Sequence, residues 1–217
     1  MALEKTFSFL KDIRTNNNRE WFAENKPVYE SAHQEAKLFF ESVYEALEKL
    51  DTLEPLKVYR IYRDVRFSKD KVPYKNHFAG SFQRQKPLER GGFYIHIEPG
   101  NSFIGGGFWG PEPQDLLRIR QEFSWDDEIV EILANPALQS FYGEMEGEEL
   151  KTAPKGFDKT HERIHLIRKK QFLFTKSFTD KEVQSPQFIQ EIVKGYEVLL
   201  PFYHFMSSVL TTNGNGE

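Results

Sequence analysis

The sequence predicts an α+β fold, a mostly antiparallel sheet of about five strands packed by long N-terminal and C-terminal helices. Three observations carry this. Apolar residues recur every three or four positions over the first fifty residues and again near the C-terminus, which is helical spacing. From Lys57 to about Trp109 the period falls to two, in short runs bounded by Pro and Gly. No repeat, low-complexity linker or composition shift divides the chain, so residues 1–210 read as a single α+β domain and 211–217, TTNGNGE, as a disordered tail.

Asn18 in NNNREWF is placed to cap a helix, with Glu20 in the first turn where the helix dipole favours an anion. Val28, Ala32, Ala36, Phe39, Val43, Leu47 and Leu50 then share one helix face. Pro27 either kinks this helix or starts a second one. After a break at 51–55 come four strand candidates: VYRIYRDVRF, HFAGSFQ, GFYIHIEPG and SFIGGGFW. The short EPGNS connection makes the last two an antiparallel hairpin. Helical spacing returns from Pro113 to about Tyr142, in pieces broken near Ser124 and Asn135-Pro136. LKTAPKGFDKT reads as a loop, with Asp158 capping a helix that runs to Lys169. QFLFTKSF is the fifth strand candidate. Ser185-Pro186 opens the last helix, which places Phe188, Ile192, Tyr196, Leu199 and Tyr203 on one face, and Gly195 and Pro201 are expected to bend it.

A chain of 217 residues with 39% hydrophobic and 29% charged residues has ample material for a core, and 20 Phe make that core aromatic. The absence of cysteine excludes disulfides and thiolate metal sites. The N-terminus has no long apolar run and no small-residue cleavage site, and no segment approaches the roughly 20 apolar residues that span a bilayer, so a soluble cytoplasmic protein is expected. The net charge of −4 disfavours nucleic acid and anionic membranes as partners. Yet Lys57 to Lys75 holds seven Lys or Arg against two Asp, a basic patch on an otherwise acidic body. Such a patch suits a small anionic ligand better than a long polyanion.

RIYRDVRFSKDKVPYKNH, residues 60–77, is therefore the first place to look for a site. In a strand Ile61, Arg63, Val65 and Phe67 share one face, and a guanidinium on a core-directed face needs a carboxylate partner or an opening onto a pocket. Glu20, Glu98 and Asp70 are candidate partners. The loop that follows carries Ser68, Lys69, Lys71, Lys75 and His77, whose hydroxyl, ammonium and imidazole groups fit phosphate or carboxylate oxygens. On the third strand candidate His96 and Glu98 are i and i+2 on one face, where they could serve acid–base chemistry or hold a metal. Gly105 to Gly107 weaken a strand and call for a reason: a bulge, a closely packed helix, or a ligand lying over bare backbone. The residues expected to bind ligand are thus Arg63, Arg66, Lys75, His77, Gly106 and Trp109, with His96 and Glu98 as the catalytic pair. No metal ligand and no cofactor is assigned. HERIH, His161 to His165, matches H-E-x-x-H, which on a helix could bind zinc through the two histidines with Glu162 as base. Its mostly polar flanks and the lack of a spaced third ligand count against a zinc hydrolase.

NNNREWF, RIYRDVRFSKDKVPYKNH, FYIHIEPGNSFIGGGFW, PKGFDKTH and FLFTKSF together resemble domain of unknown function 2461, a family of conserved hypothetical proteins. The resemblance covers nearly the whole chain. It implies a single soluble α+β domain and brings no established activity, cofactor or catalytic residue. It also implies a His at the position of His161 without the full H-E-x-x-H. The functional expectation is a site for a small anionic ligand bearing phosphate or carboxylate, enzymatic or not. The alternative is a non-enzymatic module that binds protein or nucleic acid through an aromatic and basic surface. The oligomeric state is not legible.

Overall fold

The computed structural model describes residues 3–66 and 71–212. Among these residues the elements in chain order are α1 (Glu4–Thr15), α2 (Arg19–Glu24), α3 (Lys26–Leu47), β1 (Lys57–Val58), β2 (Phe78–Gln83), β3 (Gly92–Ile97) and β4 (Ser102–Phe108), then α4 (Pro113–Trp125), α5 (Glu128–Leu133), α6 (Pro136–Tyr142), α7 (Ile164–Ile167), β5 (Phe172–Phe178), α8 (Asp180–Val183) and α9 (Phe188–Thr211). The strands form one antiparallel sheet in the order β1-β2-β3-β4-β5. This is the α+β class that the change of period predicts. No helix of the described residues is long and apolar enough to cross a membrane.

The chain divides into two compact units. The first holds Met1–Phe82, Tyr94–Ile104 and Ser177–Val193, and the second holds Gln83–Phe93, Gly105–Lys176 and Lys194–Glu217. In the first unit, Asn18 caps α2 by accepting from the Trp21 amide. Pro27 sits in the first turn of α3, where its missing N–H costs nothing, so it starts a helix and does not kink one. α1 is tied to α3 by the Thr6 hydroxyl, which donates to the Ala32 carbonyl, and by the Thr6 amide, which donates to Glu35. Phe9 stacks on Phe78 of β2, Phe40 of α3 lies over Gly80, and Phe39 stacks on Phe188. An aromatic layer thus covers one face of the strands, as 20 Phe imply.

The long strand expected from Val58 to Phe67 is not regular. Only Lys57 and Val58 form β1, paired with Ser81 and Gly80. Beyond them the chain keeps an irregular antiparallel course: Tyr59 N donates to Ala79 O, Lys75 N to Ile61 O and Arg63 N to Pro73 O, with a bridge between Tyr62 and Tyr74. Burial still alternates, with Ile61 buried, Arg63 and Val65 half-buried, and Tyr62, Asp64 and Arg66 exposed. The period-two pattern reports the facing of side chains even where the ladder is broken. Phe67, Ser68, Lys69 and Asp70 lie outside the described residues, as do residues 213–217 of the expected tail; Thr211 closes α9.

In the second unit α9 supplies Tyr196, Leu199, Phe202 and Tyr203, all fully buried. Phe93 meets Tyr196 edge-on, and Phe108 and Phe174 meet Phe202. The glycine run belongs to this packing. A Cβ on Gly106 would collide with the Tyr203 hydroxyl, Leu199 and Phe93, and one on Gly107, which has φ +131°, with the Phe172 carbonyl. The expectation that a ligand lies on bare backbone at Gly106 is therefore corrected: α9 fills that space. α4, α5 and α6 follow the expected breaks, with Asn135 capping α6, except that the first break falls at Asp126 and leaves Ser124 inside α4. The helix expected from Asp158 to Lys169 is confined to Ile164–Ile167. Asp158 instead closes a turn through the Thr160 amide and hydroxyl.

Among the described residues the fully buried guanidinium is that of Arg84, not Arg63. Arg84 pairs with Glu89, donates to the Arg90 and Tyr203 carbonyls and to the Ser207 hydroxyl, and lies over the Tyr203 ring. Burial at this cost persists because both terminal nitrogens of the fork meet acceptors. Arg84→Ala is expected to destabilise the protein by about 3–5 kcal/mol in chemical denaturation, because it removes the partner of Glu89 and three further hydrogen bonds. Gly106→Val is expected to destabilise by about 1–3 kcal/mol or more, because the Tyr203 hydroxyl that it displaces is fixed between Gly92 O and Gly107 N. A Val variant with a wild-type denaturation midpoint would contradict the packing role of the glycine run.

Candidate functional site

Two neighbouring strands and their flanks bring three side chains together in the first unit. His77 stands immediately before β2, His96 is on β3, and Glu98 follows β3 at the hairpin turn. Phe93, Ile95 and Ile97 take one face of β3 and are buried. Tyr94, His96 and Glu98 take the other, as the alternation predicts. That second face is not a solvent-washed row: the side chains of His96 and Glu98 are only 9% and 13% exposed.

The cluster is hydrogen-bonded throughout. His96 Nε2 lies 2.8 Å from Glu98 Oε2, and the Tyr94 hydroxyl lies 3.3 Å from His96 Nδ1. Asn76 Nδ2 donates to Glu98 Oε1 at 2.5 Å, and Asn101 Nδ2 donates to Glu98 Oε2 at 3.0 Å. The His77 and His96 rings are tilted at 33° with centroids 4.1 Å apart, and Phe103 stacks on the opposite side of His96 at 4.7 Å. One donor atom from each of His77, His96 and Glu98 lies within 4.8 Å of the other two, so these three residues could hold a metal ion.

Burial sets the protonation states. His77 is pushed down to about 4, by burial first and then by the charges of His96, Lys75 and Arg63, against the pull of Glu98. His96 is also lowered, because burial outweighs its bond to Glu98. Burial alone would raise Glu98, but the hydrogen bonds from His96 and Asn101 and the two imidazoles hold it below the usual carboxylate range. Burial, Tyr59 and Glu98 push the Tyr94 phenol up to about 12, so it stays a donor. At neutral pH the cluster thus holds two neutral imidazoles and one carboxylate. The neutral His96 gives its Nε2 proton to Glu98 and accepts at Nδ1 from Tyr94.

Cations border the cluster. Lys75 is half-buried, with its ammonium over the Tyr59 ring at 5.4 Å, and burial and Arg60 lower its pKa. Arg63 is half-buried, and its charge acts on His77. Arg66 is exposed and gives both arms of its fork to Asp64, while Lys71 Nζ donates to the Val65 carbonyl. Trp109 is 74% exposed and belongs, like Gly106, to the second unit. His161 lies before α7 and accepts the Arg163 amide at Nδ1, and His165 lies within that short helix. The single helix face that H-E-x-x-H chemistry requires is missing.

NNNREWF acts on the cluster by placing it. Asn17 exchanges two hydrogen bonds with the backbone of Tyr74, and Phe22 stacks on the Tyr74 ring at 4.0 Å. These contacts fix the residues just before Lys75, Asn76 and His77. On the other flank the turn 98–102 is held by the Ser102 hydroxyl, which accepts from the Glu98 amide, and by the Gly100 amide, which donates to Asp180.

A family model described as a conserved hypothetical protein, DUF2461, matches residues 5–205. The chain belongs to that family. No curated protein and no solved structure matches it. The match spans every element that builds the DUF2461 cluster, from the Asn17 latch to α8. Sequence reading finds His96, Glu98 and His77 but misses Asn76 and Asn101. Their only signal is that an amide residue precedes His77 and another closes the EPGN turn. A separate cavity of about 390 Å³ in the second unit is lined by Arg118, Glu122, Asp126 and His204 among others. It shares no residue with the cluster.

Proposed function

We propose that this DUF2461 protein binds a small anionic ligand, one bearing phosphate or carboxylate, beside the His77–His96–Glu98 cluster. The observation that carries the reading is a nearly buried carboxylate–imidazole pair bordered by two half-buried cations, Lys75 and Arg63. An ammonium whose charged form is penalised by burial gains most from an incoming anion. Lys75 and Arg63 hold the anion, His77 and Tyr94 line its approach, and His96 with Glu98 is the reactive pair beside it. Arg66 is committed to Asp64 and stands apart from this role.

The second reading, a module that binds a macromolecular partner, rests on the exposure of Trp109 and Trp125. Calorimetry of the whole chain with inorganic phosphate, small phosphate esters and small carboxylates separates the two. The first reading predicts saturable one-to-one binding of one of these classes. Lys75→Ala and Arg63→Ala should each weaken it by about tenfold or more, the loss expected for a charge-assisted hydrogen bond. Arg66→Ala and Trp109→Ala should leave it unchanged. Binding that survives loss of both Lys75 and Arg63, or that is lost with Trp109, would contradict it.

A further inference from the structure

We propose that His77, His96 and Glu98 form a binding site for one divalent first-row transition ion. The inference concerns the cluster just described and rests on its being the functional site, but not on the anion.

The donor set comes first. Two imidazoles and one carboxylate suit zinc, iron(II), cobalt(II) and their neighbours, while magnesium and calcium favour all-oxygen sites. Three protein ligands leave positions open, the pattern of sites that act on a bound molecule. Geometry comes second. Bonds of about 2.0–2.2 Å place neighbouring donors roughly 3–3.5 Å apart. His96 Nε2 and Glu98 Oε2 are already 2.8 Å apart, and all three donors lie within 4.8 Å, so closing on an ion needs only small side-chain rotations. His96 lies on β3, and His77 and Glu98 directly adjoin the ends of β2 and β3, so the sheet positions all three ligands.

The surroundings complete the case. Metal sites depend on outer hydrogen bonds that orient the ligands. Glu98 has such bonds on both oxygens, from Asn76 and Asn101. His96 has the Tyr94 hydroxyl at its remote nitrogen. Ligation at Nε2 moves the imidazole proton to Nδ1, where the Tyr94 oxygen turns to accept it, so no proton need leave the ring. Lys75 and Arg63 oppose the ion by charge, and an anion bound between them and the metal offsets that repulsion. Metal and anion therefore strengthen each other's binding, as linkage requires. In the loaded protein the site works by polarising the bound anion, and His96 Nε2 serves as a ligand and not as a proton acceptor.

The test uses the full chain stripped with chelator and titrated with zinc(II) or cobalt(II) alone. The inference predicts one equivalent bound per chain, with His77 and His96 ring protons paramagnetically shifted in the cobalt form. His77→Ala, His96→Ala and Glu98→Ala should abolish stoichiometric binding while the thermal transition stays cooperative. Asn76→Ala should weaken it by about 10- to 100-fold, as loss of an outer hydrogen bond does. His161→Ala and His165→Ala should bind as wild type does. No stoichiometric ion on the wild-type chain, unshifted His77 and His96 rings, or loss of binding with His161 or His165 would each overturn it. The ring-proton shifts are read on the unaltered protein, so the inference stays testable even where a variant fails to fold. Phosphate binding measured in chelator keeps the two readings apart: phosphate without metal retires this inference alone, and metal without any anion retires the anion reading alone.

Discussion

The site depends on keeping one carboxylate ionised in a nearly closed place. Glu98 is 13% exposed, and a carboxylate so placed would take up a proton or pull its strand apart unless donors meet it. Asn76, Asn101 and His96 meet it, and each is brought by a different local rule. The period of β3 puts His96 on the same face as Glu98. The tight turn 98–102 returns Asn101. The latch of Asn17 on Tyr74 sets the path of residues 75–77 and so aims Asn76. Loss of Asn76 would leave Glu98 Oε1 without a donor, and loss of His96 or Asn101 would leave Oε2 with one donor in place of two, which is why separate stretches of sequence serve one residue.

The two units handle charge and glycine in contrasting ways. In the first, the half-buried cations Lys75 and Arg63 border a polar cluster, where an anion would relieve the desolvation of Lys75. In the second, Arg84 is fully enclosed and answered by Glu89, two carbonyls and a hydroxyl, so its role is structural. The glycine run serves the same interior. Gly106 leaves room for Tyr203, whose hydroxyl donates to Gly92 O and accepts from Gly107 N, and the strand backbone and α9 are locked at one point.

Much of this was legible in the sequence because burial follows periodicity. Alternation over 93–98 correctly sorted Tyr94, His96 and Glu98 from Phe93, Ile95 and Ile97, and Pro27 was one of two expected devices. Alternation over 60–66 gave the burial order but not the broken ladder, since backbone pairing depends on the partner segment as well as on the strand itself. It also overstated the burial of Arg63, because a pattern tells which way a side chain faces and not how deep that side lies. HERIH, which its polar flanks already counted against, carries its meaning only on a helix, and here the helix begins after the first histidine. His77 was legible as a polar loop residue of the same expected site, but not in its ring contact with His96. That relation arises from pairing β2 with β3, which no local spacing encodes.

The claim that Glu98 organises the cluster is tested most directly by the imidazole nitrogens. In the metal-free full chain at pH 7, long-range nitrogen–proton NMR should show His77 and His96 both neutral, with the His96 proton on Nε2. His77, pushed down to about 4 by burial, should remain neutral to about pH 5. A His96 proton resident on Nδ1 would mean that Glu98 is not the partner of Nε2, a His96 imidazolium at pH 7 would mean that burial does not decide the charge of the ring, and either result would contradict the account of the site.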